Sequence, residues 1–519
     1  MKYNNNPMNP IIKFMKISCL FGILLIPNLL NAQQYSELWG KNGETWNRER
    51  LPDFSFAGYH QGEEAIPHVD TVVNVKDFGA KGNGVINDTE AFKRAIDAAE
   101  NGAVYIPNGT YRITEQLVIH KSNVVLQGES RDKTILYFPW FLNDIMPNWG
   151  STTEGRPTSN FSWSGGFIKI EGNYNSKEIT KVIQPLKRGS MTIVVESGAK
   201  LNIGQLISVR VDDTGDHSLL DHLYSGDPGS TDRIGRHPHV SQTVKIKDIK
   251  GTKITLDRPL RFDLNLDWSP TILSFEPETK ESGIENLTFL FPNIPYEGHF
   301  TELGHNAIEF NQAFYCWARN IRINNSDSGI YFSGQFCTVE GVVIESERKQ
   351  SGGDYMPEAT GHHGIYIYDN DNIFSNFVYK TKFIHDISVS HCSGNVIEDG
   401  SGADLNLDHH KRNPFANLFT NIDLGDGRRM FRSSGGRNLG RHSAAWETFW
   451  NIQAIRPLPS WSDGWGPDMM NFVGVNSRDK MDISPDGKWF EPIDPQEIYP
   501  QNIHKAQLKL RLNANKQKK

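Results

Sequence analysis

Apolar and polar residues alternate along much of the chain in short runs broken by Gly, Asn and Pro. Such a run stands at 282–289, and the next units, 307–310, 329–332, 364–367, 395–398 and 429–432, share one alternation and align as a first set. A second set comprises 320–323, 341–344, 385–389, 421–424 and 451–454, most of them opened by Asn or Gly. One-sided alternation with Asn or Gly at the corners is what a coil of parallel strands needs, because inward side chains fill the bore and the corner residue turns the chain. The pattern predicts an all-β solenoid whose main rungs, with the functional loops, occupy 276–476.

Upstream, 72–178 reads as the first part of the same coil. A strand at 73–75 and a glycine-rich turn at 77–84 lead into a helix. Asp88 is placed as its N-cap, and Phe92, Ala95, Ile96 and Ala99 fall on one face. Such a helix suits the open edge of a first rung, which otherwise invites pairing with another chain. Strands follow at 103–106, 110–113, 116–119 and 123–127. Residues 33–71 lack a sustained period and read as an arm lying over the domain. At 179–275 the spacing changes to half-buried antiparallel strands (192–196, 206–211, 243–249 and 253–256), which predicts an inserted β subdomain. Trp140, Trp149 and Trp163 lie in an irregular stretch and are expected to pack it down. Residues 477–519 read as a C-terminal tail whose Lys-rich end is loosely held.

Composition changes this picture little. The 519 residues are 37% apolar and 22% charged, as in ordinary globular chains. The net charge of −7 points away from nucleic acid and anionic membranes, so an anionic ligand needs a local basic patch. Lys13 and Lys16 precede an apolar run at 20–30, and Ala32 offers a cleavage point, which is the layout of a signal peptide over 1–32. The expected location is secreted or periplasmic. The run is too short to span a bilayer and contains Pro27, so no membrane insertion is expected. Cys316, Cys337 and Cys392 read as small buried residues with no disulfide required.

The run Val75-Lys76-Asp77-Phe78-Gly79-Ala80-Lys81-Gly82-Asn83-Gly84, then Asp88-Thr89-Glu90-Ala91-Phe92 and Val104-Tyr105-Ile106-Pro107-Asn108-Gly109-Thr110-Tyr111, resembles the start of a pectate-lyase-superfamily β-helix. It is similar to the subgroup shared by polysaccharide lyases, glycoside hydrolases and phage tailspikes. The resemblance implies a right-handed parallel β-helix and a carbohydrate ligand. It does not select a reaction, because these residues are cap and first rungs.

Candidate chemistry gathers in three long polar loops. One holds Asp404, Asp408, His409, His410, Lys411 and Arg412, the next holds Arg437, Arg441 and His442, and a third holds Arg348, Tyr355, His362 and His363. The first two follow strands aligned in successive rungs, whose loop roots lie about 5 Å apart. β-Elimination on a uronate needs a cation to neutralise the carboxylate, a base for the C5 proton and an acid for the leaving oxygen. His409, His410 and His442 are candidate bases or acids, Lys411, Arg437 and Arg441 candidate neutralisers, and Tyr355 a reserve acid. Arg412, His362 and Arg348 are candidate substrate contacts. The leading expectation is a lyase acting on an acidic, uronate-containing polysaccharide, with or without sulfate. Related enzymes use Ca²⁺ as neutraliser, and Asp399, Asp404 and Asp408 offer oxygens, although no calcium-loop spacing is visible.

Two alternatives stand beside it. Asn325-Ser326-Asp327 and Gly361-His362-His363-Gly364 are similar to motifs of polygalacturonase-type hydrolases, which use paired carboxylates. The Asp-Asp motif expected between them is absent, and Asp369-Asn370-Asp371 comes after the His motif. Asp327, His363 and Asp369 are the residues this alternative would use. The second alternative is a non-catalytic carbohydrate-binding or adhesin protein.

Overall fold

The computed structural model describes residues 33–235, 238–349, 356–459, 461, 465–476 and 487–517. The proposed signal segment and Tyr355 lie outside the described residues. The chain is a right-handed parallel β-helix built on two long sheets, one of sixteen strands and one of seven. In the larger sheet one inward column runs Val104, Leu126, Ile284, Ala318, Val339, Phe374, Ile397, Phe419, Phe449, Phe472 and Phe490, each residue paired with the next. Phe419, Phe449 and Phe472 stack with centroids 5.2 and 5.0 Å apart. In the seven-stranded sheet a matching column runs Leu117, Ile168, Ile308, Ile330, Ile365, Ile387 and Leu407. These columns fill the bore, and period-two alternation places their neighbours outside.

The corners are turned by residues with positive φ: Asn286, Asn320, Gly341, Asp399, Asn421, Asn451 and Gly474. Asn tolerates this conformation better than other non-Gly residues. Its amide also links rungs, as where Asn320 Nδ2 donates to Asn286 Oδ1 at 2.7 Å and Asn451 Nδ2 to Asn421 Oδ1 at 3.0 Å.

Three sequence alignments are corrected: residues 429–432 form a turn and no strand, and two strands change sheet. His385–Val389 belongs to the seven-stranded sheet, beside His363–Ile367, and not to the second set. Residues 395–398 belong to the sixteen-stranded sheet, between Ile373–Ser375 and Leu418–Asp423. The two sheets share one apolar period, so alternation alone cannot assign a strand to either.

The capping helix, Thr89–Ala98, buries Phe92, Ala95 and Ile96. Asp88 does not cap it: its carboxylate accepts from the amides of Lys81 and Gly82 at 2.6 and 3.0 Å, bracing the glycine-rich turn. Between the strands Ile168–Glu171 and Gly283–Leu290 the chain leaves the coil to form a six-stranded antiparallel sheet. The polar stretch inside it contains a short helix, Ser218–Leu223, with Leu219, Leu220 and Leu223 buried. The core of this sheet takes in Phe415, Ala416, Ala444, Ala445 and Trp446 from the coil, so it is packed onto the rungs that carry the polar loops.

The C-terminal end is not a loose tail. Ile503–Gln517 is a helix that, with the arm, covers an apolar strip formed by Val396, Leu418, Trp450, Val473 and Ile498. Gln507 accepts from Phe54 N and donates to Pro52 O, each at 2.9 Å, and His504 Nδ1 lies 2.9 Å from Glu398. Lys505, Lys509 and Lys516 are exposed on this helix, whereas Ile503, His504 and Gln507 are buried. No helix among the described residues is long and apolar enough to cross a membrane.

Candidate functional site

Outward positions of the seven-stranded sheet form a second ladder: Lys169, Glu309, Tyr331, Tyr366, Ser388 and Asp408. Beside its far end five imidazoles converge. His362 and His363 stack with centroids 4.0 Å apart, and His363 stacks on His385 at 4.8 Å. His299, from a loop, meets His362 edge-on at 4.6 Å, and His410 meets His385 edge-on at 5.2 Å. Two carboxylates close the group. Asp408 Oδ2 lies 2.7 Å from His410 Nδ1 and 3.1 Å from His385 Nδ1, and Glu302 Oε1 lies 3.5 Å from His362 Nδ1.

Burial sets the protonation of this cluster. His385 is pulled down to about 4 by burial, against the attraction of Asp408, and burial with the neighbouring imidazoles holds His363 and His299 well below the usual histidine range. These rings are neutral at neutral pH. For Asp408 burial works upward, but His385 and His410 outweigh it and keep the carboxylate well below its usual range. Ser388 Oγ and the Ser434 amide also donate to Asp408, at 3.1 and 2.8 Å. Tyr366 is pushed up by burial and keeps its proton. Its ring lies 5.0 Å from His363 and 5.7 Å from His410.

The candidates from the sequence divide sharply. His410, His362 and His363 enter the cluster. His409 does not: it continues the inward column Phe310, Phe332, Ile367, Val389 and is fully buried against Trp465 and Phe419. Adjacent residues of a strand face opposite ways, so His409 and His410 could not both serve. The two polar loops lie side by side. His442 Nδ1 is 3.1 Å from His409 O, Arg412 N donates to Leu439 O at 3.0 Å, and Ser434 N reaches Asp408. Burial, then the charge of Lys411, lowers His442, and burial lowers Lys411. Arg412 and Arg437 are exposed.

Arg441 turns away and binds Asp227 of the inserted sheet, through Nε to the carbonyl at 3.0 Å and Nη2 to the carboxylate at 2.5 Å. Asp327 and Arg348 form a buried pair at 2.8 Å, with side chains 2% and 3% exposed, and Asp327 also accepts from the amides of Gly304 and His305. Neither can meet a glycan. The three aspartates considered for Ca²⁺ do not converge: Asp399 accepts from Asn421, Asp404 from the Arg428 amide, and Asp408 belongs to the histidines.

Asp369 lines a separate cavity of about 470 Å³ with Tyr174, Tyr368, His239 and His391. Burial raises its carboxyl to about 7, and Tyr174 OH donates to it at 2.9 Å. The rings of Tyr366, Tyr368 and His391 follow one another at 6.4 and 5.5 Å, so the histidine cluster and this cavity are joined by aromatic surface. Asp369 is the cavity's single carboxylate, and Asp371 is fully engaged by Arg258 and Arg261. The paired carboxylates of the hydrolase alternative are therefore not assembled.

Trp140 and Trp149 do not pack down as expected. They remain 48% and 62% exposed. The hairpin carrying Trp149 is tied to the histidine loop, with Arg156 Nη1 donating to His299 O at 3.2 Å. His299, His385 and Glu302 lay outside the sequence argument. His385 was assigned to the wrong sheet, and the other two lie in a stretch without periodicity.

Residues 72–148 match the family model described as rhamnogalacturonase A/epimerase, pectate lyase-like. The first coils are pectate-lyase-like. The chain is 33% identical over 146 residues to the plasmin and fibronectin-binding protein A of Streptococcus pneumoniae, covering 26% of this chain and 20% of that protein. It is 34% identical over 114 residues to alginate lyase 7 of Azotobacter vinelandii, covering 20% and 13%. The chain thus spans a fifth or less of the length of these curated relatives. Among solved structures it is similar to the tailspike protein gp49 from Pseudomonas phage LKA1, at 13% identity and a TM-score of 0.42 over 78% of this chain and 67% of that one.

Proposed function

We propose that this protein is an exported carbohydrate-active enzyme, a lyase that cleaves a uronate-containing polysaccharide by β-elimination. The observation that carries this reading is the His410–Asp408 pair on an open face of the coil, with Tyr366 alongside. With Nδ1–H donated to Asp408, Nε2 of His410 is the basic nitrogen and would take the C5 proton. Tyr366, protonated at neutral pH, would give its proton to the leaving oxygen. Lys411 and Arg412 follow His410 directly and would draw in the acidic chain. The exposed Trp149 and the aromatic path toward Tyr368 and His391 suit the faces of neighbouring sugars. The names of relatives such as alginate lyase 7 and mannuronan C5-epimerase AlgE1, both of Azotobacter vinelandii, support an acidic glycan. Export rests on the pattern in 1–32.

The test is incubation with a panel of uronate polysaccharides, following the ultraviolet absorbance of the unsaturated product. Growth of that absorbance with one member of the panel is expected. New reducing ends without it would indicate hydrolysis, and binding without either would indicate an adhesin.

A further inference from the structure

His362 and His385 are buried; Nε2 of His385 and Oε2 of Glu302 make no hydrogen bond, while Nδ1 of each histidine has a carboxylate oxygen beside it, at 3.5 and 3.1 Å. Leaving a buried polar atom unpaired is costly, and here two such atoms lie at one spot. The lyase reading uses none of them. One ligand atom from each of His299, His362 and His385 lies within 4.8 Å of the others.

We propose that His299, His362 and His385 bind one divalent first-row transition ion, of which Zn²⁺ is the best fit. Three imidazoles are a nitrogen donor set suited to such ions and unsuited to Ca²⁺, which takes oxygen. Zn–N bonds are about 2.0–2.1 Å, so three nitrogens on one ion sit roughly 3.3 Å apart. Closing the observed spacing needs shifts of about an ångström, and His299 is on a loop. The outer layer is also in place. His385 Nδ1 faces Asp408 and His362 Nδ1 faces Glu302, the arrangement in which a carboxylate orients a metal-bound imidazole and leaves its other nitrogen for the ion. Both carboxylates are themselves held, Glu302 by Tyr296 OH at 2.5 Å and Asp408 by Ser388 and Ser434. A second group, His385, Asp408 and His410, shares His385. We assign the ion to the first group because Asp408 and His410 already bond each other. Three protein ligands leave a coordination position open. On the lyase reading it would hold the uronate carboxylate, the task that Arg441, bound to Asp227, is too engaged to perform. That role rests on the reading, whereas the binding of the ion does not.

The experiment strips the purified protein with a chelator, dialyses it and titrates it with Co²⁺ as a spectroscopic probe, then with Zn²⁺ by calorimetry. One equivalent per chain is expected, with a visible Co²⁺ absorption that Zn²⁺ abolishes. His299→Ala and His362→Ala should each weaken binding more than 100-fold, and Glu302→Gln about 10–100-fold, the range for losing an outer partner. His391→Ala should bind as wild type. Absence of a stoichiometric Co²⁺ site in the wild type overturns the proposal. So does unchanged binding in a His299→Ala protein whose melting curve matches wild type. Stoichiometric binding without unsaturated product from any polysaccharide would retain the metal site and remove the lyase reading.

Discussion

His410 Nδ1 and Asp408 Oδ2 are 2.7 Å apart on one outward face of the coil, while His409 between them is turned into the core. The strand thus presents an oriented imidazole next to a carboxylate held ionised by its surroundings. His410→Ala and Asp408→Asn should each lower kcat by about 10²–10⁴-fold, the usual worth of a positioned proton-transfer group. KM should move much less, as read from the rate of unsaturated product. A His409→Ala protein should instead lose stability, having opened a cavity among Trp465, Phe419 and Phe449.

Arg348→Ala should be severe for folding. It strands Asp327 as an unpaired buried carboxylate, and breaking such a pair costs about 3–5 kcal/mol. Denaturant unfolding should show that loss. Kinetics on the fraction that stays folded should show kcat within a few-fold of wild type.

Stability should fall in mild acid. Burial lowers His305 to about 4, with Asp327 and Arg348 facing it. Burial, then His239 and Arg412, lowers His391 to about 4. In the unfolded chain each titrates near 6.5, so between roughly 6.5 and 4 the unfolded state binds more protons than the folded one. Melting temperature should therefore be level above pH 7 and drop steadily as pH falls from about 6.5 to 4. His305→Phe should flatten part of that slope.

The basic residues should separate by position. Arg412→Ala and Lys411→Ala should raise KM for an acidic polysaccharide, more strongly at low ionic strength, because charges in reach of solvent act through a screened field. Arg441→Ala should leave kcat/KM within about two-fold and stability within about 1 kcal/mol, as its partner Asp227 is exposed.

Truncation before the C-terminal helix, Ile503–Gln517, should lower the melting temperature and expose the arm to protease. Phe54 and Pro52 would lose the two hydrogen bonds of Gln507, and Trp450 and Leu418 part of their cover.

The fold was legible because one alternation repeats: Ile308, Ile330 and Ile365 announce their column, and the glycine-rich turn with its helix marks the cap. The site was legible only by halves. His362, His363 and His410 stand in polar loops that sequence can flag. His385 opens a strand whose alternation fits either sheet, so nothing local says that it faces His363. The arginines misled for a different reason. Counting charge finds Arg348 and Arg441, but only geometry shows that Asp327 and Asp227 already consume them. Glu302 and His299 carry no periodic signal, because their loop is shaped by its contacts with Tyr296 and Arg156.

The strand Gln34–Tyr35 pairs with Ile498–Tyr499, and Leu38, Trp39, Leu51, Phe54 and Ala57 of the arm rest on rungs drawn from residues 396–498, whereas Tyr59 packs on earlier rungs. A chain emerging from its amino end therefore exposes Leu38, Trp39, Leu51 and Phe54 before any surface exists to receive them. The coil can wind from its cap as it is made, but the first part of the arm has no seat until the last strands exist. Maturation thus ends with a latch: the earliest part of the arm is the last to dock, and an unfinished chain displays an apolar, unpaired leader.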